Sequence, residues 1–287
     1  MPDSGIQIKK LPKLTHPLLV VGFDGWGNAM NVSSGMVAYL IQKLKAKPFA
    51  SLNPDTFYRY DESRPTVNII DGNLISLSPP GGSFFAAKMD SDRGDLVLLD
   101  ADEPNLKWHQ FADELISLCR RLGVETFVVL GSMYDKVLHT DKIVSGIASS
   151  APLAERLKAH KVAAVSYQGP SAIHSTLLTE GQKKGVDCFS LWCHCPYYLQ
   201  GATHYGLLAH LGSLLASIGE FRLDVSDLEA LWLELNGQIQ SLVESNPALQ
   251  SVIDELRKAK VRGSWERMRE SARGNEKVIN LKDFLKP

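Results

Sequence analysis

Three glycines within six positions, Gly22, Gly25 and Gly27, follow the apolar run Leu18–Val21 and precede a helical pattern of Val32, Met36, Val37, Leu40, Ile41 and Leu44. A glycine loop between a strand and a helix can hold an anion with main-chain amides at the helix start. It can equally supply nothing more than positive φ and a sharp turn. The spacing G-x-x-G-x-G is neither the dinucleotide fingerprint nor a phosphate loop ending in Gly-Lys-Ser/Thr, and no lysine follows to reach outer phosphates. Where a ribose-binding acid would stand, about twenty residues on, the chain reads Lys47-Pro-Phe-Ala50. Trp26, at the loop tip, is an aromatic suited to packing against a neighbour or a partner.

Other reactive side chains are scattered. His139 lies in the loop Asp135–Thr140 beyond the strand that closes at Gly131, and His174 falls on a helix after Gly169-Pro170. A lone histidine is more often structural than catalytic, although either one is a base candidate. Asp102 and Glu103 directly follow a buried strand, where an acid can enter a site. Equally, Glu103-Pro104 simply starts the next helix, whose positive end favours acids. A nucleophile elbow, G-x-S-x-G, does not occur. Cys193-His-Cys195 suggests a metal, but strand alternation turns the two thiols one way and His194 the other. No second ligand pair stands at zinc spacing, so these read as buried reduced thiols and no metal or cofactor is expected.

The elements that must position these groups read as α/β. Asp95–Asp100 and Val124–Leu130 are continuous apolar runs, as in strands buried on both faces, with a helix from about Lys107 to Leu122 between them and Gly123 ending it. This succession predicts a parallel core with right-handed crossovers, within a mixed, mainly parallel sheet. A short strand is expected near Thr56–Tyr60, and a hairpin over Pro65–Leu77 turning at Asp71-Gly72. Val162–Tyr167 and Val186–Cys195 read as further strands, Pro152–His160, Ser171–Lys184 and His204–Ile218 as helices. Beyond Arg222 the pattern is helical to about Lys260, broken near Asn246-Pro247, with a charged tail from Arg262 read as loosely held or used in contacts. The expected division is an α/β core over residues 1–222 and a helical extension over 223–287.

Composition excludes several classes. The chain has 287 residues, 44% hydrophobic and 22% charged, with a net charge of −1. That balance gives no electrostatic case for nucleic acid or an anionic membrane. No apolar run approaches the roughly 20 residues of a membrane span, and the N-terminal residues lack a secretory layout. A cytoplasmic location is expected.

Several motifs occur in order: Gly22-Phe-Asp-Gly-Trp26, Pro48-Phe49, Asp55-x-Phe-Tyr58, Arg64-Pro-Thr-Val67, Glu103-Pro-x-x-x-Trp108, His139-Thr140, Gly169-Pro170, and Ser190-Leu-Trp192 followed by Pro196-x-Tyr198. In that order and spacing the chain resembles the proteasome assembly chaperone family, in its bacterial and archaeal branch, over roughly residues 16 to 250. The resemblance implies a three-layer fold like that of purine nucleoside phosphorylases, with a mixed sheet, and self-association, commonly into trimers. It also implies non-catalytic chaperones among the eukaryotic relatives. Three departures stand out. Asn28 replaces a frequent aspartate, Asp141 an arginine and Tyr197 a histidine, and Asp141 would repel a phosphate that arginine would clamp.

Two functions follow. One is a non-catalytic homo-oligomeric scaffold, trimer favoured, binding itself or protein clients through aromatics such as Trp26, Trp108 and Tyr198 and the C-terminal helices. The other is a binding protein or enzyme for an anion, nucleotide or nucleoside at the strand carboxyl ends. Its cleft candidates are Gly22, Asp24, Gly25, Trp26, Gly27, Asn28, Arg64, Glu103, Gly131, His139, Thr140, Gly169 and Pro170.

Overall fold

Strand alternation sorts the core into two layers, one on each face of a central sheet. The computed structural model describes residues 4–89, 94–261 and 279–280. Along β2 (Leu18–Asp24), Leu19, Val21 and Phe23 enter one apolar cluster while Val20 enters the other. β7 (Leu96–Asp102) and β8 (Thr126–Asp135) repeat the pattern, with Val97, Leu99, Phe127 and Val129 on the first face and Leu98, Val128 and Leu130 on the second. Period-two side chains on a doubly covered sheet require this.

The remaining elements complete a nine-stranded sheet. In chain order they are β1 (Ile6–Ile8), α1 (Val32–Lys43) after β2, β3 (Lys47–Leu52), α2 (Pro54–Phe57), β4 (Thr66–Ile70), β5 (Asn73–Ser78) and β6 (Gly82–Ala87). After β7 come α3 (Trp108–Leu122), β8, β9 (Val144–Ala148), α4 (Ala151–Ala159), β10 (Ala163–Ala164), α5 (Ile173–Lys183) and β11 (Asp187–Pro196). The sheet order is β1-β3-β6-β7-β2-β8-β11-β9-β10, and β4 with β5 forms a separate two-stranded sheet. Helices α3 and α5 cover the first face, α1 and α4 the second.

Parallel pairing holds only the centre, β7-β2-β8-β11, and the outer β9–β10 pair. β1–β3, β3–β6, β6–β7 and β11–β9 are antiparallel. The expected parallel core and mixed sheet are present, but the antiparallel flanks make the pairing even rather than mainly parallel. The connection from Ala87 of β6 to Leu96 of β7 is too short for the dozen or so residues that a parallel crossover takes, so these neighbours run antiparallel.

Two local expectations also change. Thr56–Tyr60 is no strand: Asn53 accepts the Asp55 N–H at 3.2 Å and Pro54 stands in the first turn, so α2 forms instead. Val162–Tyr167 contributes only the two residues of β10, at the sheet edge.

β12 (Leu199–Gln200) then leads to α6 (Tyr205–Ile218), α7 (Ser226–Ser245) and α8 (Pro247–Val261), with β13 (Ile279–Asn280) pairing parallel to β12. Leu228, Leu235, Ile239, Val243, Leu249, Ile253 and Leu256 of α7 and α8 belong to the same apolar cluster as Val20 and Leu98. The extension thus continues the core over the α1/α6 layer. Lys260 ties α8 back to the Leu138–Asp141 turn through Asp141, at 2.6 Å. The tail from Arg262, apart from β13, lies outside the described residues. Among the described residues no helix is long and apolar enough to cross a membrane.

Candidate functional site

At the carboxyl ends of β2 and β7 the chain leaves an open hollow of about 760 Å³. Its walls include Asp24, Gly25, Trp26, Glu62, Arg64, Asp102, Glu103 and Trp108, with Ser171 and Ala172 at the start of α5. Four carboxylates therefore face one guanidinium. A second hollow of about 340 Å³ shares Asp24 and Asp102 and adds Asp100. Burial, reinforced by Asp102 and Asp24, pushes the Asp100 carboxyl up to about 6. Burial also raises Asp102, although Asp102 accepts the Gly81 N–H at 2.8 Å.

Glu103 organises the rim. One oxygen accepts the Ile173 N–H at the head of α5 (2.9 Å), the other the Trp26 N–H (3.2 Å), and its own N–H donates to the Asp24 carbonyl (2.7 Å). So Glu103 serves the positive end of α5, 70 residues away, whereas the helix that follows it in sequence starts only at Trp108. Gly25 is needed beneath it: φ is +153°, and a Cβ there would lie 2.8 Å from that of Glu103. Replacing Glu103 by alanine leaves the part-buried Ile173 amide without its acceptor and returns the exposed Trp26 amide to water. We expect a loss of about 1–3 kcal/mol, read in urea unfolding, with faster hydrogen exchange at residues 26 and 173. Unchanged exchange at both amides would contradict this clamp.

The head of α1 is closed in the same manner. Asn28 Oδ1 accepts the N–H groups of Ser33 (2.9 Å) and Ser34 (3.2 Å), while its amide nitrogen donates to Asp24 (2.9 Å) and Ser34 Oγ (2.9 Å). The amides that could hold an anion at this helix start already have an acceptor. An aspartate at position 28 would set a second carboxylate against Asp24; asparagine donates to it instead.

The structure gathers Asp24, Gly25, Trp26, Arg64 and Glu103 around the hollow, with Gly27 and Asn28 just behind. Gly22 faces α1, where a Cβ would meet Ser33 and Val37. Gly131 and Gly27 both make room for the Trp192 indole, which lies 4.5 Å from the His174 ring. Gly169 and Pro170 form an exposed turn, in which Tyr167 donates to the Pro170 carbonyl (2.9 Å), before Ser171 reaches the rim.

His139 and Thr140 lie elsewhere, in the loop that α8 meets. His139 is buried, its main-chain N–H donating to Tyr198 Oη and its Nδ1 accepting from the same hydroxyl, both at 2.8 Å. His174 is buried too, with Nε2 donating to the Leu130 carbonyl (2.8 Å), and burial lowers both imidazoles to about 4. Of the cysteine cluster, Cys193 and Cys195 enter the core while His194 contacts Asp135 (2.7 Å) and Ser145 (2.9 Å) on the other face. No group of three or more metal-binding side chains occurs among the described residues. Sequence reading missed Glu62 and Asp100. The only signal for either was an acid at a strand end or before the Arg64 motif.

With this geometry in view, comparison with known proteins gives one consistent answer. The sequence profile of the PAC2 family matches residues 20–243. A PAC2 family protein from Streptomyces avermitilis is 26% identical and superposes with a TM-score of 0.73, covering 83% of this chain and 99% of its own. The proteasome-assembly chaperone homologue of Mycobacterium tuberculosis is also 26% identical, at TM-score 0.74, covering 82% of this chain and 99% of its own. An archaeal proteasome activator from Pyrococcus furiosus, 18% identical at TM-score 0.65 with 83% and 97% covered, shares the fold. A search of curated proteins finds no match.

Proposed function

This chain belongs to the PAC2 family, and from that premise we propose that it is a cytoplasmic, chaperone-like scaffold that works through protein contacts rather than catalysis. Its partners are protein clients and further copies of itself, a trimer being the order that the family resemblance implies. The observation that carries this reading is the internal use of the site's polar equipment. Glu103 and Asn28 occupy the helix-head amides that an anion would need. The hollow's carboxylates outnumber its one guanidinium, so its field repels phosphate. The two imidazoles considered as bases are buried and held neutral. Of the aromatics expected at contacts, Trp26 is 66% exposed, Trp108 is partly buried and Tyr198 is fully buried; Tyr167, 67% exposed near the rim, joins Trp26 as suits protein contact.

A thermal-shift screen with nucleotides, nucleosides and phosphate tests the reading, because any ligand that prefers the folded state stabilises it by mass action. We expect no shift from any of them, alongside light scattering that reports an oligomer at micromolar concentration. A shift that disappears in Glu103→Ala would establish the ligand-binding alternative. A monomer would remove the self-associating scaffold.

A further inference from the structure

The β4–β5 hairpin is a separate two-stranded sheet whose strand residues are all exposed. Asp71 and Gly72 turn it with φ of 49° and 76°, the two positive values of a type I′ turn. From that turn, regular pairing would set Val67 opposite Ser76 and Asn68 opposite Ile75. A bulge prevents this. Between Asn68 and Ile69 the register shifts, leaving Ile75 as the extra residue, so that Val67 faces Leu77, Ile69 faces Leu74 and Asn68 faces Ser76. Val67, Ile69, Leu74 and Leu77 then share one face, with Asn68 and Ser76 on the other. The irregularity has kept an apolar face intact on an element that nothing among the described residues covers: these four side chains are 56–64% exposed.

Two strands alone are marginal in water. Counting both of its faces, the hairpin's apolar residues leave on the order of 600 Å² open, at the upper end for a monomer's largest patch. A standard interface takes roughly 600–1,000 Å² from each partner, so this face forms the apolar centre of a small contact that the chain around the hairpin completes. Asp71, at the tip, is the only charge between Thr66 and Ser78, so nothing in the hairpin selects an oppositely charged partner. A flat, uncharged apolar face is complementary to a second copy of itself, the self-matching condition of a two-fold contact.

We propose that the β4–β5 hairpin pairs two copies of this chain, apolar face against apolar face. The proposal rests on the scaffold reading and specifies one surface of it. Where a trimer also forms through another face, the pairing joins two trimers. Its test is the solution mass of the full chain and of the variant Ile69→Thr, Leu74→Thr, Leu77→Thr, which keeps strand propensity. The wild type is expected to hold an even number of chains, and the variant half that number, with association at least roughly tenfold weaker and an unchanged circular dichroism spectrum. A second measurement does not depend on the variant's folding. All four native cysteines are buried, so a bismaleimide is expected to join two chains of Leu77→Cys and to leave Ser76→Cys, on the opposite face, uncrosslinked. A trimer whose mass the triple substitution leaves unchanged overturns the hairpin contact while preserving the scaffold. Equal crosslinking from both cysteines, or a monomeric wild type, overturns it as well.

Discussion

Gly22→Ala is expected to lower the thermal midpoint by roughly 6–12 °C, from about 3 kcal/mol of overpacking at 2–4 °C per kcal/mol in a chain of this size. The new Cβ would stand 2.7 Å from the main-chain oxygen of Ser33 and 2.6 Å from Val37. A side chain can rotate away, but a helix backbone cannot, and α1 is pinned at this point. Ser33 Oγ donates to the Leu130 carbonyl at 2.6 Å and accepts the Phe23 N–H at 3.2 Å, so lifting α1 breaks contacts to two strands. Gly131→Ala should cost less, since the atoms nearest its Cβ belong to the Trp192 side chain, at 2.7 Å, rather than to a helix backbone. Gly237→Ala should have the opposite sign. Nothing lies within 4 Å of a Cβ there, and alanine is favoured by up to about 1 kcal/mol inside a helix such as α7. Melting curves for the three variants give the ranking. A Gly22→Ala midpoint within 2 °C of wild type, a small surface-type effect, would mean that α1 is not held as tightly as these contacts require.

Gly22 illustrates what the sequence could disclose. A glycine in an apolar strand before a helix announces a close approach or a turn, without saying which. The answer depends on α1 crossing directly over it. Local chemistry was read well where it was self-contained. The Asp71-Gly72 dipeptide implied its turn, and the alternation in Cys193-His-Cys195 sent the thiols into the core and His194 outward. The strand expected near Thr56–Tyr60 fails because a cap at Asn53 and a first-turn proline at Pro54 outweigh its strand propensity.

Long-range partnerships were invisible. Glu103 reaches α5, and Asp141, the departure from arginine, meets Lys260 across 119 residues. That substitution removes a candidate phosphate clamp and supplies a tether for α8 instead. His139 looked like a cleft base because its loop follows a strand. The extension beyond Arg222 turns that loop toward the α6–α8 side, and only the packed chain carries that information.

The same burial makes the protein acid-labile, and lowering the pH from 7 to 4.5 is expected to unfold it or release α7 and α8. His139, His174 and His204 each have folded values near 4, against an ordinary 6.5, chiefly from burial. Arg257 adds to the depression at His139 while Asp141 opposes it; at His204 hydrogen bonds to main-chain groups oppose burial, and the charges of His139 and Lys142 add slightly to the depression. A lowered value means that the unfolded chain binds the proton first, so stability is whole above about 6.5 and is lost as pH falls towards 4. The geometry agrees. His139 Nδ1 accepts from Tyr198 and His204 Nδ1 accepts from the Leu207 N–H (3.1 Å), so protonation sets donor against donor. His174 Nδ1 is buried with no hydrogen-bond partner among the described residues. Asp100 works in the opposite direction, its raised value adding stability as pH falls from about 6. It is one partly exposed carboxyl against three buried rings, so the net loss stays on the order of 5 kcal/mol, comparable with the whole stability of many domains. His204 stacks on Trp232 of α7 at 4.7 Å, which makes α7 and α8 the first elements to loosen. His204→Asn keeps a side-chain acceptor at the head of α6 and cannot titrate, so its midpoint should fall less between pH 7 and 5 than that of the wild type. Urea midpoints for both proteins across that range measure the difference. Parallel curves would show that His204 is not among the groups that take up the proton.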